Sequence, residues 1–145
     1  MSRILLIITL FFTPFFASAK DVILTSIDEL PKEAQEFIKA NFAEEKILIM
    51  KLDKELFGSD TYEVKFTTGT EIEFSKEGVW KKVDTKNAIV PDSVIPAKIL
   101  SHIKGNFKDQ KIESISKKRY GYKVEFQSGL EVKFNKDFRF IGIDD

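Results

Sequence analysis

The sequence predicts an α+β fold made of two tandem units, each a helix followed by four antiparallel strands. In that reading the helices cover one face of the sheet and the other face meets solvent. Three observations predict it: an internal repeat, strict period-two alternation of apolar residues in both copies, and a proline-opened amphipathic stretch ahead of each. Residues 30–42 lie over residues 95–107 at a shift of 65, matching Pro31 to Pro96 and Asn41-Phe42 to Asn106-Phe107. Residues 62–74 lie over 122–134 at a shift of 60, sharing the frame Tyr-x-Val-x-Phe-x-x-Gly-x-x-x-x-Phe. The difference between the shifts is an insertion in the first copy, around residues 54–60.

Residues 1–19 stand apart from the fold. A start carrying only Arg3, an apolar run over residues 4–16 and the small residues Ala17-Ser18-Ala19 are the features a signal peptidase reads. The run falls short of the ~20 apolar residues needed to span a bilayer. Cleavage after Ala19 is expected, giving a periplasmic or secreted protein with no membrane insertion. The expected organisation is a signal peptide at 1–19, a first repeat at 20–86, a linker at 87–93 and a second repeat at 94–145.

In each copy a proline opens the helix, where its missing N–H costs nothing. Ala34, Phe37 and Ile38 form the apolar stripe of the first helix, and Ile99, His102 and Ile103 that of the second. A strand is expected at 46–52 and again at 111–117. A hairpin follows, with Tyr62, Val64, Phe66, Ile72 and Phe74 inward and Glu63, Lys65, Glu71 and Glu73 outward. Its second copy turns Lys123, Glu125, Glu131 and Lys133 outward, and a last strand closes each copy at 79–84 and 139–144. Alternation of this kind implies a sheet buried on one side only.

These residues carry a resemblance. The Leu-Pro helix start, the frame Tyr62-Glu63-Val64-Lys65-Phe66 to Gly69 to Glu71-Ile72-Glu73-Phe74, and Gly78-Val79-Trp80-Lys81-Lys82-Val83-Asp84 resemble the PepSY-like, β-lactamase-inhibitor-like family of secreted or periplasmic bacterial proteins. The second copy departs from the frame, with Phe140 for Trp80 and Asp137-Phe138 for Glu77-Gly78. The resemblance implies a sheet carrying a helical layer, as in the β-lactamase inhibitory protein.

Composition narrows the function. Without residues 1–19 there remain 22 bases against 23 acids, a formal charge of −1 with the signs interspersed. That balance speaks against a nucleic-acid binder, which needs a basic face. Zero cysteines leave neither a disulfide framework nor a thiol nucleophile, so packing alone carries stability. The single histidine, His102, takes the place of Phe37 on a helix stripe and cannot by itself supply a zinc site. Glu71 and Glu73 share a sheet face about 7 Å apart, near a glycosidase spacing. They sit among alternating bases with no apolar pocket to raise a pKa, and a solvated polar face accounts for them. A hydrolase using that face is the weakest of the readings.

The expectation is therefore a non-enzymatic binding or inhibitor-like module with no cofactor and no metal. It recognises a protein or peptide through the open sheet face and loops. The alternative is a binder of a small molecule or envelope component in a cleft between the repeats. The aromatic anchors expected for a partner are Trp80, Phe57 in the insertion, and Tyr120 beside the Gly121 turn.

Overall fold

The computed structural model describes residues 20–56 and 58–144. The expected signal peptide, Phe57 and Asp145 lie outside the described residues. Among the described residues two α-helices, α1 (Lys32–Asn41) and α2 (Ala97–Asn106), accompany nine strands. The strands are β1 (Val22–Leu24), β2 (Ile47–Asp53), β3 (Thr61–Phe66), β4 (Glu71–Ser75), β5 (Trp80–Asp84), β6 (Ile112–Lys118), β7 (Gly121–Phe126), β8 (Glu131–Asn135) and β9 (Phe140–Asp144).

All nine strands belong to one antiparallel sheet in sequence order, β1 to β9. This corrects the expected architecture of two tandem helix-plus-four-strand units. Strand β5 pairs directly with β6 through Lys82↔Ser116, Val83↔Ile115 and Asp84↔Ser114. The buried apolar residues form one cluster running from β1 to β8. Helix is the minor component among the described residues, two α-helices of ten residues each and two 3-10 turns of three. The physical reason is that edge strands expose unpaired N–H and C=O groups. Joining β5 to β6 satisfies those groups and removes the boundary that local alternation suggests. A short strand absent from the expectation, β1, pairs with β2.

One row of aliphatic side chains crosses every strand. The register reads Leu24↔Met50↔Val64↔Ile72↔Val83↔Ile115↔Val124↔Val132↔Ile143. Ala34 and Ile38 of α1 and Ile99 and Ile103 of α2 are buried in the same cluster as this row. Phe37 of α1 meets Phe74 edge-on at 5.7 Å, and His102 of α2 meets Phe134 edge-on at 5.5 Å. Both helices therefore sit on the aliphatic side, and the opposite side stays open. Lys65, Glu73, Glu125 and Lys133 are all on that open side, paired in register with other polar residues apart from Ile49 beside Lys65 and Gly142 beside Lys133.

The segment expected as a linker is tied down. Val90 is fully buried, and its N–H donates to the carbonyl of Ile112 at 2.9 Å. Gln127 Nε2 donates to the carbonyls of Asn87 and Ala88 at 2.8 and 2.9 Å.

Candidate functional site

The open face is built by the outward residues of β2 to β9, and continuity across β5 and β6 sets its pattern. Two adjacent rows result. One reads Glu73↔Lys82↔Ser116↔Lys123↔Lys133, and the other Glu71↔Asp84↔Ser114↔Glu125↔Glu131. Asp144 extends the second row onto β9. From β5 onward one row is thus basic (Lys82, Lys123, Lys133) and its neighbour acidic (Asp84, Glu125, Glu131, Asp144). Ser116 in the first row and Ser114 in the second, both buried, are the low steps of the rows on β6.

Placing like charges directly opposite costs stability. Lys123 faces Lys133, and Glu125 faces Glu131. The sheet offsets part of the cost diagonally. Lys123 Nζ donates to Glu131 at 2.7 Å, a hydrogen bond that raises the lysine pKa. Lys133 lies 2.7 Å from Asp144. A local rule broken on an exposed face, away from the demands of packing, is a mark of function.

The β2 to β5 side of the face is neutralised more thoroughly. A chain of ion pairs runs Lys51 to Glu63 (3.1 Å), Glu63 to Lys65 (3.1 Å), Lys65 to Glu71 (3.0 Å), Glu71 to Lys86 (3.7 Å) and Lys86 to Asp84 (3.0 Å). Lys82 joins Asp84 at 3.2 Å. Burial works against ionised Asp84, but hydrogen bonds from Lys86 and Lys82 outweigh it and hold the carboxyl below its ordinary range. Hydrogen bonds to Glu71 and Glu63 raise the Lys65 pKa. Glu71 is engaged by Lys65 and Lys86, and Glu73 by Lys81 at 3.1 Å. These two carboxylates are members of a charge lattice.

Trp80 lies on the helix side. Its strand carries a bulge, with Glu73↔Lys82 followed by Phe74↔Trp80, so Lys81 is the extra residue. The bulge lets Trp80 and Val83 share the buried face. Trp80 is half-buried, stacked on Phe37 at 6.3 Å and 29°, with Lys117 Nζ 4.2 Å from its ring centre. Burial of Lys117 pushes its pKa down, opposed by Glu33. Tyr120 is 39% exposed at the β6–β7 turn, 5.9 Å from Lys133 Nζ, and borders the open face. Trp80 and Tyr120 are therefore not brought together, and Phe57 is outside the described residues. Lys82, Asp84, Ser114 and Ser116 complete the two rows, and a single-copy reading does not find them. Their signal is the β5–β6 register.

The hollows are modest. One of about 370 Å³ lies beside α1, lined by Ile27, Ile38, Phe42 and Ile47, and one of about 210 Å³ lies beside α2. At the β5–β6 seam a polar hollow of about 180 Å³ is lined by Glu73, Lys81, Lys82, Ser116, Lys117 and Lys118. Small-molecule sites are typically ~300–1,000 Å³, and of these three hollows the one beside α1 reaches the low end of that range. Among the described residues no three potential metal ligands come together, and no helix is long and apolar enough to cross a membrane.

A family model described as "Putative beta-lactamase-inhibitor-like, PepSY-like" matches residues 60–142, more than half of the chain. The chain belongs to this PepSY-like family. The match runs through the β5–β6 seam, so it covers both rows of the open face except Asp144. Solved structures of similar proteins agree. A Bacteroides vulgatus ATCC 8482 protein described as a "putative periplasmic protein" of the DUF2874 family is 34% identical, with a TM-score of 0.80 over 86% of this chain and 97% of its own. A second from the same organism, described as of unknown function, is 35% identical with a TM-score of 0.82, over 87% of this chain and 100% of its own. A Bacteroides thetaiotaomicron protein described as a "putative calcium-regulated periplasmic protein" is 34% identical with a TM-score of 0.82, over 86% and 97%. No curated protein matches the chain. The description of the PepSY-like family is inhibitor-like and names no reaction.

Proposed function

We propose that this PepSY-like protein is an exported, periplasmic, non-enzymatic recognition module that binds a protein or peptide across its open sheet face. The observation that carries the reading is the pair of like-charged rows, Lys82, Lys123 and Lys133 beside Asp84, Glu125, Glu131 and Asp144, kept at a cost in cross-strand repulsion. A partner presenting the opposite pair of rows relieves that repulsion on docking, and the charges set orientation and association rate. Tyr120 at the rim is the aromatic anchor on this surface. Export rests on the apolar start of the sequence and on the periplasmic description of the similar structures.

The test is affinity capture from the cell envelope with the mature chain, against a variant carrying Lys123→Glu and Lys133→Glu. Both side chains lie on the open face, outside the buried core, and circular dichroism checks that the variant keeps its fold. Proteins captured by the wild type and lost by the variant support the reading. Identical captured sets from the two chains refute it.

A further inference from the structure

The aliphatic row ends differently at the two edges of the sheet. At the β1 edge Leu24 is 8% exposed, whereas at the β9 edge Ile143 is 53% exposed. Ile143 takes the place in β9 that Val83 takes in β5, each opposite a valine or isoleucine of the preceding strand. Val83 is 0% exposed because β6 lies beyond it and sets Ile115 against it. Strand β9 has the same shape as β5, including a bulge between Lys133 and Phe134 that makes Ile141 the extra residue. The bulge residue of β5 is Lys81, while in β9 it is Ile141, 52% exposed. Sheet edges are normally guarded by lysine or another charge against strand addition. Here the guard is replaced by isoleucine.

The β5–β6 seam shows what such an edge accepts. Strand β6 offers Ser114, Ile115, Ser116 and Lys117: an aliphatic residue opposite the buried valine, small residues on either side, and a cation two positions on that lies over Trp80. We propose that the outer edge of β9 receives an antiparallel strand from a partner protein, with an aliphatic residue set against Ile143 and a lysine or arginine over Phe140. The backbone of β9 supplies the hydrogen bonds, Ile143 supplies apolar burial, and Phe140 selects the cation. A second copy of this chain fits less well. Pairing β9 with itself puts Asp145 two residues after the aliphatic one, an anion where the seam has Lys117. Strand β1 offers Ser26 at that position.

The site uses the outer backbone edge of β9 and shares only Asp144 with the charged rows, so its failure leaves the open-face reading standing. The test titrates the ¹⁵N-labelled protein with a blocked peptide reproducing residues 112–118. A second peptide carries glutamate in place of the lysine at the Lys117 position. The expected result is amide shifts confined to residues 140–144, with binding at least tenfold weaker for the glutamate peptide and lost in the Ile143→Lys protein. Ile143 is largely exposed, so that variant folds, and an unchanged Tm confirms it. Shifts elsewhere, equal affinity for both peptides, or no shift up to millimolar peptide overturn the proposal. Sedimentation showing a dimer that Ile143→Lys dissolves also overturns it, because the edge then belongs to a second copy.

Discussion

Strands β2 to β5 with α1, and β6 to β9 with α2, reach the same geometry with different side chains. Phe37 stands edge-on to Phe74 (82°) and stacks on Trp80 (29°). His102 stands edge-on to Phe134 (85°) and stacks on Phe140 at 5.0 Å and 13°. A phenyl, phenyl and indole in one half become an imidazole and two phenyls in the other, and each aromatic trio keeps its arrangement. The halves part company beyond the trio. Trp80 is roofed by Lys117 of the next strand, whereas Phe140 stands on the edge, 38% exposed. The packing positions are thus interchangeable, and the edge is what gives each half its own character.

Truncating the third ring of each trio tests this most severely. Trp80→Ala removes a half-buried indole, its stack and its cation contact, and is expected to cost about 2–3 kcal/mol. Phe140→Ala removes a ring already partly in water and is expected to cost about 1 kcal/mol. Urea unfolding midpoints of the two variants measure the difference. Equal losses would mean that the edge does not distinguish the halves.

Acid sharpens the comparison at the ends of β5 and β9. Asp84 is nearly buried and held below its ordinary pKa by Lys86 and Lys82. A carboxyl depressed on folding stabilises the native state above its unfolded pKa, about 4. That stability is lost as pH falls through the lower folded value. Asp84→Asn is therefore expected to cost on the order of 1–2 kcal/mol at pH 7 and little near pH 2. Asp144, at the matching place in β9, is half exposed and meets Lys133 alone among the described residues. Asp144→Asn is expected to cost no more than a few tenths of a kcal/mol at either pH. Thermal melts across pH 2–7 separate the two, and parallel curves for both variants would refute the assignment.

What could be read from the residues was local. The alternation of Val64, Phe66, Ile72 and Phe74 and of Val124, Phe126, Val132 and Phe134 fixes which side is buried, because period two acts over neighbouring residues. Ala34 and Ile38, or Ile99 and Ile103, mark helix faces in the same way. The seam was hidden because the outward residues that meet there, Lys82 and Asp84 with Ser114 and Ser116, carry no apolar signature naming their neighbours. The two charged rows exist only once that seam sets their register. The face taken by Trp80 turned on the single extra residue Lys81, and a slip of one residue reverses every side chain beyond it. Strand β1, three residues long, is too short to show a period.

Exchanging the helix residues of the two trios is the mildest test. Among the described residues the His102 ring makes no hydrogen bond, while it packs against Phe107, Phe134 and Phe140. A phenyl in place of this half-buried imidazole sets more apolar surface against the same three rings. His102→Phe is therefore expected to raise stability by about 0.5–1 kcal/mol, with the edge-on and stacked contacts kept. Phe37→His is expected to lower it by at least as much, because the Phe42 ring beside Phe37 is buried whereas its counterpart beside His102, Phe107, is half-buried. Opposite signs for the two exchanges, read as shifts in urea midpoint at pH 8, establish that the trios are one packing arrangement with two fillings. A loss of stability in both variants would show instead that each half is fitted to its own ring, and that the interchangeability extends to geometry but not to energy.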